Sequence, residues 1–291
     1  MEVTVVKLIQ PTTMSLVMEV MLEMKSGLET KAILKLYDRR FATGLRRRER
    51  VKPWTPTFEE LYKQYVLSGR AKKLFEDLDE LSDDEKSDDD TDNDEEERDP
   101  NLKTGQEEGY LHHYCRKLCA NEVQAYESLR DLQGCMIPKF LAAVRLSYPD
   151  TDVPHHLFEY FDTRGILIEY IDGFDLLDLQ TKAPQSKWQA VCEDAIHIVN
   201  RVSNHGVLNL DVRPENFLVK KSESGETFQV FQIDFGKTFY MDGLPWEKWR
   251  EIKARSDEEG AVGLVMQKLL EGSFKYTPSN KYDSDCGENG K

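Results

Sequence analysis

The most informative pattern in the chain is Asn209-Leu-Asp-Val-Arg-Pro-Glu-Asn216, followed by Gln232-Ile-Asp-Phe-Gly236. It places Asp211 five residues before Asn216, and it then places Asp234 inside an Asp-Phe-Gly triplet. Both motifs are short and polar, so their meaning depends on the segments that surround them.

The segments around these loops follow a specific order. Apolar residues recur at spacings of three, four and seven from Trp188 to Val202, which predicts an amphipathic helix, and Gly206 then suits a left-handed helix end. Phe217–Val219 and Val230–Ile233 predict a short hairpin between the two loops. Either loop motif alone occurs often by chance, whereas helix, loop, hairpin and loop in this order are far more specific.

In this order the motifs resemble the catalytic loop and the metal-binding loop of the protein-kinase-like superfamily. The resemblance is closest to the small, divergent kinase-like proteins common in fungi, and it covers most of residues 1–272. It implies a two-lobed α+β fold with a small antiparallel N-lobe sheet and a shortened helical C-lobe. We therefore expect an N-lobe over about 1–168, a hinge over about 169–173 and a C-lobe over about 174–272.

The resemblance also implies roles for individual side chains. Asp211 would accept or orient the proton of the acceptor hydroxyl, and Arg213 would offer a cation near the transferred phosphoryl group. Asn216 and Asp234 would hold the Mg²⁺ that bridges the phosphates of ATP. Phe235 would pack under the helix that carries an ion-pair glutamate.

Upstream of these loops, strand-length apolar segments with short turns predict an antiparallel meander. The segments are Val3–Ile9, Met14–Met24 and Lys31–Leu36. By resemblance, Lys35 would bind the α- and β-phosphates of ATP. Its partner would be Glu122, with Glu127 as the alternative. Five helical positions separate these two glutamates by about 140°, so only one of them can face the cleft.

Two further stretches resemble parts of the kinase cleft. Ile166–Gly173 resembles the hinge between the lobes, where backbone groups near Glu169 and Ile171 would bind the adenine edge. Asp257 precedes an apolar helix and resembles the aspartate that supports the catalytic loop. A plain helix-capping role for Asp257 explains its position equally well.

The net charge of −15 is concentrated in one segment. Residues 76–99 contain sixteen acidic and two basic side chains, so the remainder of the chain is nearly neutral. Such a composition cannot bury enough apolar surface to form a core. We therefore predict a disordered acidic insert over 76–104 and a flexible tail over 273–291. The basic run Arg46–Arg50 is interpreted as a solvated face or a partner for the acidic insert.

The chain departs from the usual kinase pattern in three places. Leu8–Ser15 contains no glycine, Leu210 replaces the arginine that commonly precedes the catalytic aspartate, and only 19 residues separate Gly236 from Ser256. The leading hypothesis is an ATP- and Mg²⁺-dependent phosphotransferase acting on a hydroxyl acceptor of a protein or a small molecule. The alternatives are a pseudokinase that binds nucleotide or a partner without catalysis, and a small-molecule kinase related to aminoglycoside and choline phosphotransferases.

Composition sets the remaining expectations. No apolar run reaches about 18 residues, and the N-terminus lacks the features of a signal peptide. Five cysteines match neither a disulfide framework nor a paired zinc motif. We therefore expect an intracellular protein, cytoplasmic or nuclear, that acts as a monomer and binds neither membranes nor nucleic acid. The acceptor is not indicated by the sequence.

Overall fold

The computed structural model describes residues 2–23, 26–80, 99–147 and 152–279. It confirms an α+β fold with an antiparallel N-terminal sheet. Within these described residues, no helix is both long and apolar enough to cross a membrane. The chain divides into two compact units, the first formed by Met1–Cys119 with Leu141–Leu167 and the second by Ala120–Phe140 with Ile168–Lys291. Residues 120–140 belong to the second unit.

The first unit contains a five-stranded sheet in the order β1-β2-β3-β5-β4. Its first three strands form the predicted antiparallel meander, in which Val17 of β2 lies opposite Lys35 of β3. The strands are β1 Glu2–Ile9, β2 Leu16–Glu23, β3 Glu29–Tyr37, β4 Phe140–Leu146 and β5 Thr163–Glu169. One apolar cluster on this sheet includes Val20, Ala32 and Leu167, so alternate residues of adjacent strands form its core.

Helices follow β3 in the first unit. They are α1 Thr43–Arg48, α2 Pro56–Leu67, α3 Arg70–Glu80 and the long α4 Pro100–Ser128, which continues into the second unit. Thr55 caps α2, because its hydroxyl accepts from the backbone N–H of Phe58, and Pro56 occupies the first turn. Gly105 lets α4 pass close to α2, since a Cβ at Gly105 would lie 2.6 Å from the Cβ of Tyr65.

The predicted disorder over 76–104 differs from the structure at both ends. Residues 76–80 form the last turn of α3, and residues 100–104 form the first turn of α4. The intervening residues 81–98 lie outside the described residues. The helices at the ends are stabilised by packing of apolar side chains such as Phe75, which composition alone does not reveal.

A buried ion cluster lies in the first unit where the sequence suggested a solvated basic face. The side chain of Arg46 is only 3% exposed, and both of its terminal nitrogens bond the carboxylate of Glu108 at 2.7–2.9 Å. Arg39 donates to the same carboxylate at 2.8 Å. Arg46 is therefore a structural residue, while Arg47 beside it is exposed.

The second unit contains the amphipathic helix and two small sheets. Its helices are α5 Leu179–Lys182, α6 Trp188–Asn204, α7 Trp246–Ser256 and α8 Glu258–Leu269. Its strands are β6 Phe174–Asp175, β7 Val207–Asn209, β8 Phe217–Lys221, β9 Phe228–Gln232 and β10 Thr238–Tyr240. Strands β8 and β9 form the predicted hairpin, and Gly206 has a φ of +69°, as the predicted left-handed helix end requires.

The tail after α8 also differs from its prediction. Within 273–279, Phe274 is fully buried, and the side-chain amide of Gln189 bonds both the N–H and the carbonyl of Lys275 at 3.0 and 3.2 Å. Gln267 accepts from the backbone of Tyr276 at 2.8 Å. These residues are held against α6 and α8, whereas 280–291 lie outside the described residues.

Candidate active site

The loop after β7 holds Asp211 and Asn216 by side-chain bonds to the backbone. Asn216 is buried in a short 3-10 helix, and its Nδ2 donates to the carbonyl of Asp211 at 2.8 Å. The Oδ1 of Asn209 accepts from the N–H of Asp211 at 2.9 Å. These bonds fix the loop at both ends and leave the Asp211 side chain 20% exposed.

The loop after β9 is tied to the first loop through the same asparagine. The Nδ2 of Asn209 donates to the carbonyl of Asp234 at 3.0 Å, and the N–H of Ile233 donates to the carbonyl of Asn216 at 2.8 Å. Asp234 adopts a φ of +66°, which is uncommon for a residue other than glycine. The two loops predicted from sequence are therefore brought together, and Asn209, which sequence analysis did not assign to the site, bonds both.

Two cations approach the Asp211 carboxylate. The Nζ of Lys237 lies 3.3 Å from Oδ2 of Asp211, and a terminal nitrogen of Arg213 lies 3.9 Å from the same oxygen. Arg213 was predicted from the sequence, and Lys237 was not. In the sequence, Lys237 is marked only by its position directly after Gly236, and that position does not by itself indicate a site residue.

Glu122 contacts the loop after β9 through the residue Phe235. Glu122 is fully buried, and its Oε1 accepts from the backbone N–H of Phe235 at 3.2 Å. Glu127, the alternative, is exposed. The ring of Phe235 meets the ring of Tyr126 edge-on at 5.6 Å, so Phe235 packs against α4. Burial, reinforced by the charges of Glu122 and Asp234, raises the pKa of Tyr126.

Lys35 lies on β3 of the first unit. Its side chain is buried, and its Nζ lies 5.2 Å from the centre of the Tyr37 ring. Because Glu122 belongs to the second unit, the ion pair between Lys35 and Glu122 stays a prediction.

The hinge segment begins at the end of β5. The N–H of Glu169 donates to the carbonyl of Lys139 at 2.9 Å, and its carboxylate accepts from the N–H of Lys139 at 3.0 Å. The side chain of Ile171 is buried. The Glu169 side chain thus supports the backbone next to the start of β4, and adenine binding by backbone groups near Ile171 stays a prediction.

The carboxylate that supports the catalytic loop is Glu258 and not Asp257. Asp257 caps α8, because its Oδ1 accepts from the N–H of Gly260 at 3.1 Å. Glu258 is buried, and its Oε1 accepts from the N–H of Asn209 at 2.9 Å. Its other oxygen binds the buried ammonium of Lys253 and the hydroxyl of Ser203. The capping role of Asp257 was one of its two interpretations, and Glu258 was missed.

The donor set of the loops suits a hard divalent cation. Asn216 uses its Nδ2 on the backbone of Asp211, so its Oδ1 would be the atom that holds a metal, and Asp234 would supply a carboxylate. Mg²⁺ usually takes one or two protein ligands and completes its shell with phosphates and water. Within the described part of the chain, no group of three histidine, cysteine or acidic side chains forms a self-sufficient metal site. The site therefore fits magnesium carried with a nucleotide.

A comparison with protein families matches residues 139–248 to the ABC1 atypical kinase-like domain. The matched region includes both loops described above, with Asp211, Asn216 and Asp234. It covers less than half of the chain, and curated kinases match as well.

Calcium-dependent protein kinase 12 of Oryza sativa subsp. japonica is 26% identical over 46% of this chain and 22% of its own length. The serine/threonine-protein kinase DCLK3 of Mus musculus is 23% identical over 49% of this chain and 18% of its own length. These matches support the assignment of the chain to the protein-kinase-like superfamily. The kinase-like chain spans about a fifth of the length of these relatives, and the calcium dependence in the first name is a property of that protein.

Proposed function

We propose that this kinase-like chain is an ATP- and Mg²⁺-dependent phosphotransferase that transfers the γ-phosphoryl group to a hydroxyl. The observation that carries the proposal is the bonding of Asn209 to both loops, which holds the Asp211 and Asp234 backbones on one asparagine side chain. Phosphoryl transfer depends mainly on positioning and charge neutralisation, so a rigid arrangement of these groups is what the reaction needs.

Each group has a proposed task. Asp211 is partly exposed, so its carboxylate can orient the acceptor hydroxyl and accept its proton. Asn216 and Asp234 would hold magnesium, which neutralises charge on the phosphates when bound. Lys35 and the backbone near Glu169 and Ile171 would bind the phosphates and the adenine.

The alternative is a pseudokinase that binds nucleotide without transfer. The absence of glycine in Leu8–Ser15 favours it, because glycines let backbone N–H groups approach phosphates closely. Retention of the polar groups at both loops favours the phosphotransferase.

The test needs no knowledge of the acceptor. Purified chain is incubated with MgATP, and both hydrolysis to ADP and phosphate incorporation into the chain are measured. We expect Asp211→Asn to lower both by about a hundredfold or more, with MgATP binding retained. A wild-type chain that binds MgATP but neither hydrolyses nor transfers its phosphate would support the pseudokinase instead.

A further inference from the structure

We infer that Lys237, and not Arg213, is the principal cation for the transferred phosphoryl group. This inference rests on the proposed function and assigns a further residue to the same site. The Nζ of Lys237 lies 3.3 Å from Oδ2 of Asp211, closer than the nearest Arg213 nitrogen at 3.9 Å. Lys237 is also less exposed, at 28% against 47% for the Arg213 side chain.

The backbone of Lys237 is held on both sides. Its carbonyl accepts from the N–H of Leu210 at 2.8 Å, directly beside Asp211. Thr238, the next residue, begins β10 and lies opposite Asn209 of β7. Lys237 is therefore placed by the same strand pair that places the catalytic loop, and its position relative to Asp211 is set by the backbone.

Arg213 is held less firmly. It stands before Pro214 in extended conformation, and nearly half of its side chain is in solvent. A long, solvated side chain loses more conformational freedom when it is fixed on a ligand, so it is the weaker candidate for a preorganised cation.

The chemistry requires a cation at this point. In transfer, the O–H bond of the acceptor breaks and its proton passes to the Asp211 carboxylate. The acceptor oxygen then forms the new bond to the γ-phosphorus as the bond to the ADP oxygen breaks and ADP leaves with that electron pair. Lys237 and Arg213 both approach Oδ2 of Asp211, which leaves Oδ1 for the acceptor. Lys237 neutralises charge on the phosphoryl oxygens.

The test compares binding of MgADP alone with binding of MgADP and aluminium fluoride, a planar mimic of the phosphoryl group in transfer. Calorimetric titration is carried out on wild type, Lys237→Ala, Lys237→Arg, Arg213→Ala and Lys220→Ala. Lys220 is an exposed lysine on β8 of the same unit and serves as the matched control. Thermal melting of each variant checks that it is folded.

We expect Lys237→Ala to weaken the aluminium fluoride complex by about tenfold or more and to change the MgADP affinity by less than about twofold. Lys237→Arg should recover most of the loss, Arg213→Ala should lose less than Lys237→Ala, and Lys220→Ala should behave as wild type. If Lys237→Ala binds the aluminium fluoride complex as tightly as wild type, or if Arg213→Ala loses more affinity than Lys237→Ala, the inference about Lys237 is wrong. Neither result would contradict the proposed function. A wild-type chain that binds no MgADP would refute the proposed function and this inference with it.

Discussion

The carboxylate of Glu258 accepts a hydrogen bond from the backbone N–H of Asn209 at 2.9 Å, across 49 residues of sequence. It joins the first turn of α8 to the residue that bonds both loops of the candidate site. The other oxygen of Glu258 binds the buried ammonium of Lys253. The side chain of Glu258 therefore contributes both to the stability of the fold and to the geometry of the candidate site.

Glu258→Gln should lower the free energy of unfolding by about 3 kcal/mol, because it removes the carboxylate from a buried ammonium. Asp257→Asn is the matched control, since asparagine keeps a capping oxygen and tolerates the φ of +40° at that position. Its effect should stay within about 0.5 kcal/mol. Urea denaturation measures both variants, and equal effects would show that Glu258 has no special role.

Arg46→Ala should destabilise the chain by about 3–5 kcal/mol, because it leaves the buried carboxylate of Glu108 with one arginine instead of two. Arg47→Ala changes the exposed neighbour in the same helix and should shift stability by no more than about 0.5 kcal/mol. Denaturant titration measures the free energy of unfolding of the two variants, and it distinguishes a buried ion cluster from a solvated basic face. If Arg46→Ala is as stable as Arg47→Ala, the buried cluster does not stabilise the fold.

We expect His112 to make the stability of the first unit sensitive to acid. Burial, with the charges of Arg39 and Arg116, lowers the pKa of His112 well below its usual value. The unfolded chain therefore binds the proton more readily than the folded chain. The resulting stability is complete above the unfolded pKa of about 6.5 and falls as pH decreases through it towards the folded pKa.

His112→Phe keeps a ring beside Phe75 and should flatten the dependence of stability on pH between about 7 and 5. The exposed His156, changed to Phe, is the control and should leave the slope as in wild type. Melting temperatures across this pH range measure the slope. An unchanged slope in His112→Phe would assign the acid sensitivity to other groups.

The described cysteines should differ in reactivity. Burial raises the pKa of the Cys115 thiol, and it raises the pKa of Cys192 to about 12, while Cys135 is exposed. Because the thiolate is the reactive form, alkylation of the folded chain at pH 8 should modify Cys135 and spare Cys115 and Cys192. Peptide mass spectrometry reads the sites, and denatured chain, in which all three react, is the control. Rapid labelling of Cys115 would contradict its burial.

Sequence patterns located the elements whose signal is local. Strands β8 and β9 form the hairpin predicted from two short apolar runs, and the helix ending before Gly206 follows from periodicity and one glycine. The two loops could be predicted because their residue types and spacing resemble those of the kinase loops. For the same reason the α+β fold class could be predicted.

The residues that were missed depend on distant partners. Arg46 sits in a basic run typical of a surface, and the carboxylate that balances its buried charge is that of Glu108, 62 positions away. Glu258 and Asp257 are adjacent carboxylates, and the left-handed backbone at Asp257 decides which one caps the helix and which one turns inward. Lys237 reaches Asp211 only after β7 and β10 pair. None of these contacts leaves a trace in local composition or periodicity.

The central claim is a nucleotide site that depends on Asp234. The most direct measurement is the melting temperature of wild type and of Asp234→Asn, each with and without saturating MgATP. Ligand at a hundredfold excess over its dissociation constant should stabilise the folded wild-type chain by about 2.7 kcal/mol, which corresponds to a shift of roughly 4–5 °C in a chain of this size. We predict this shift for wild type with magnesium and its loss in Asp234→Asn. A folded wild-type chain that shows no shift, or a variant that shifts equally, would contradict the claim.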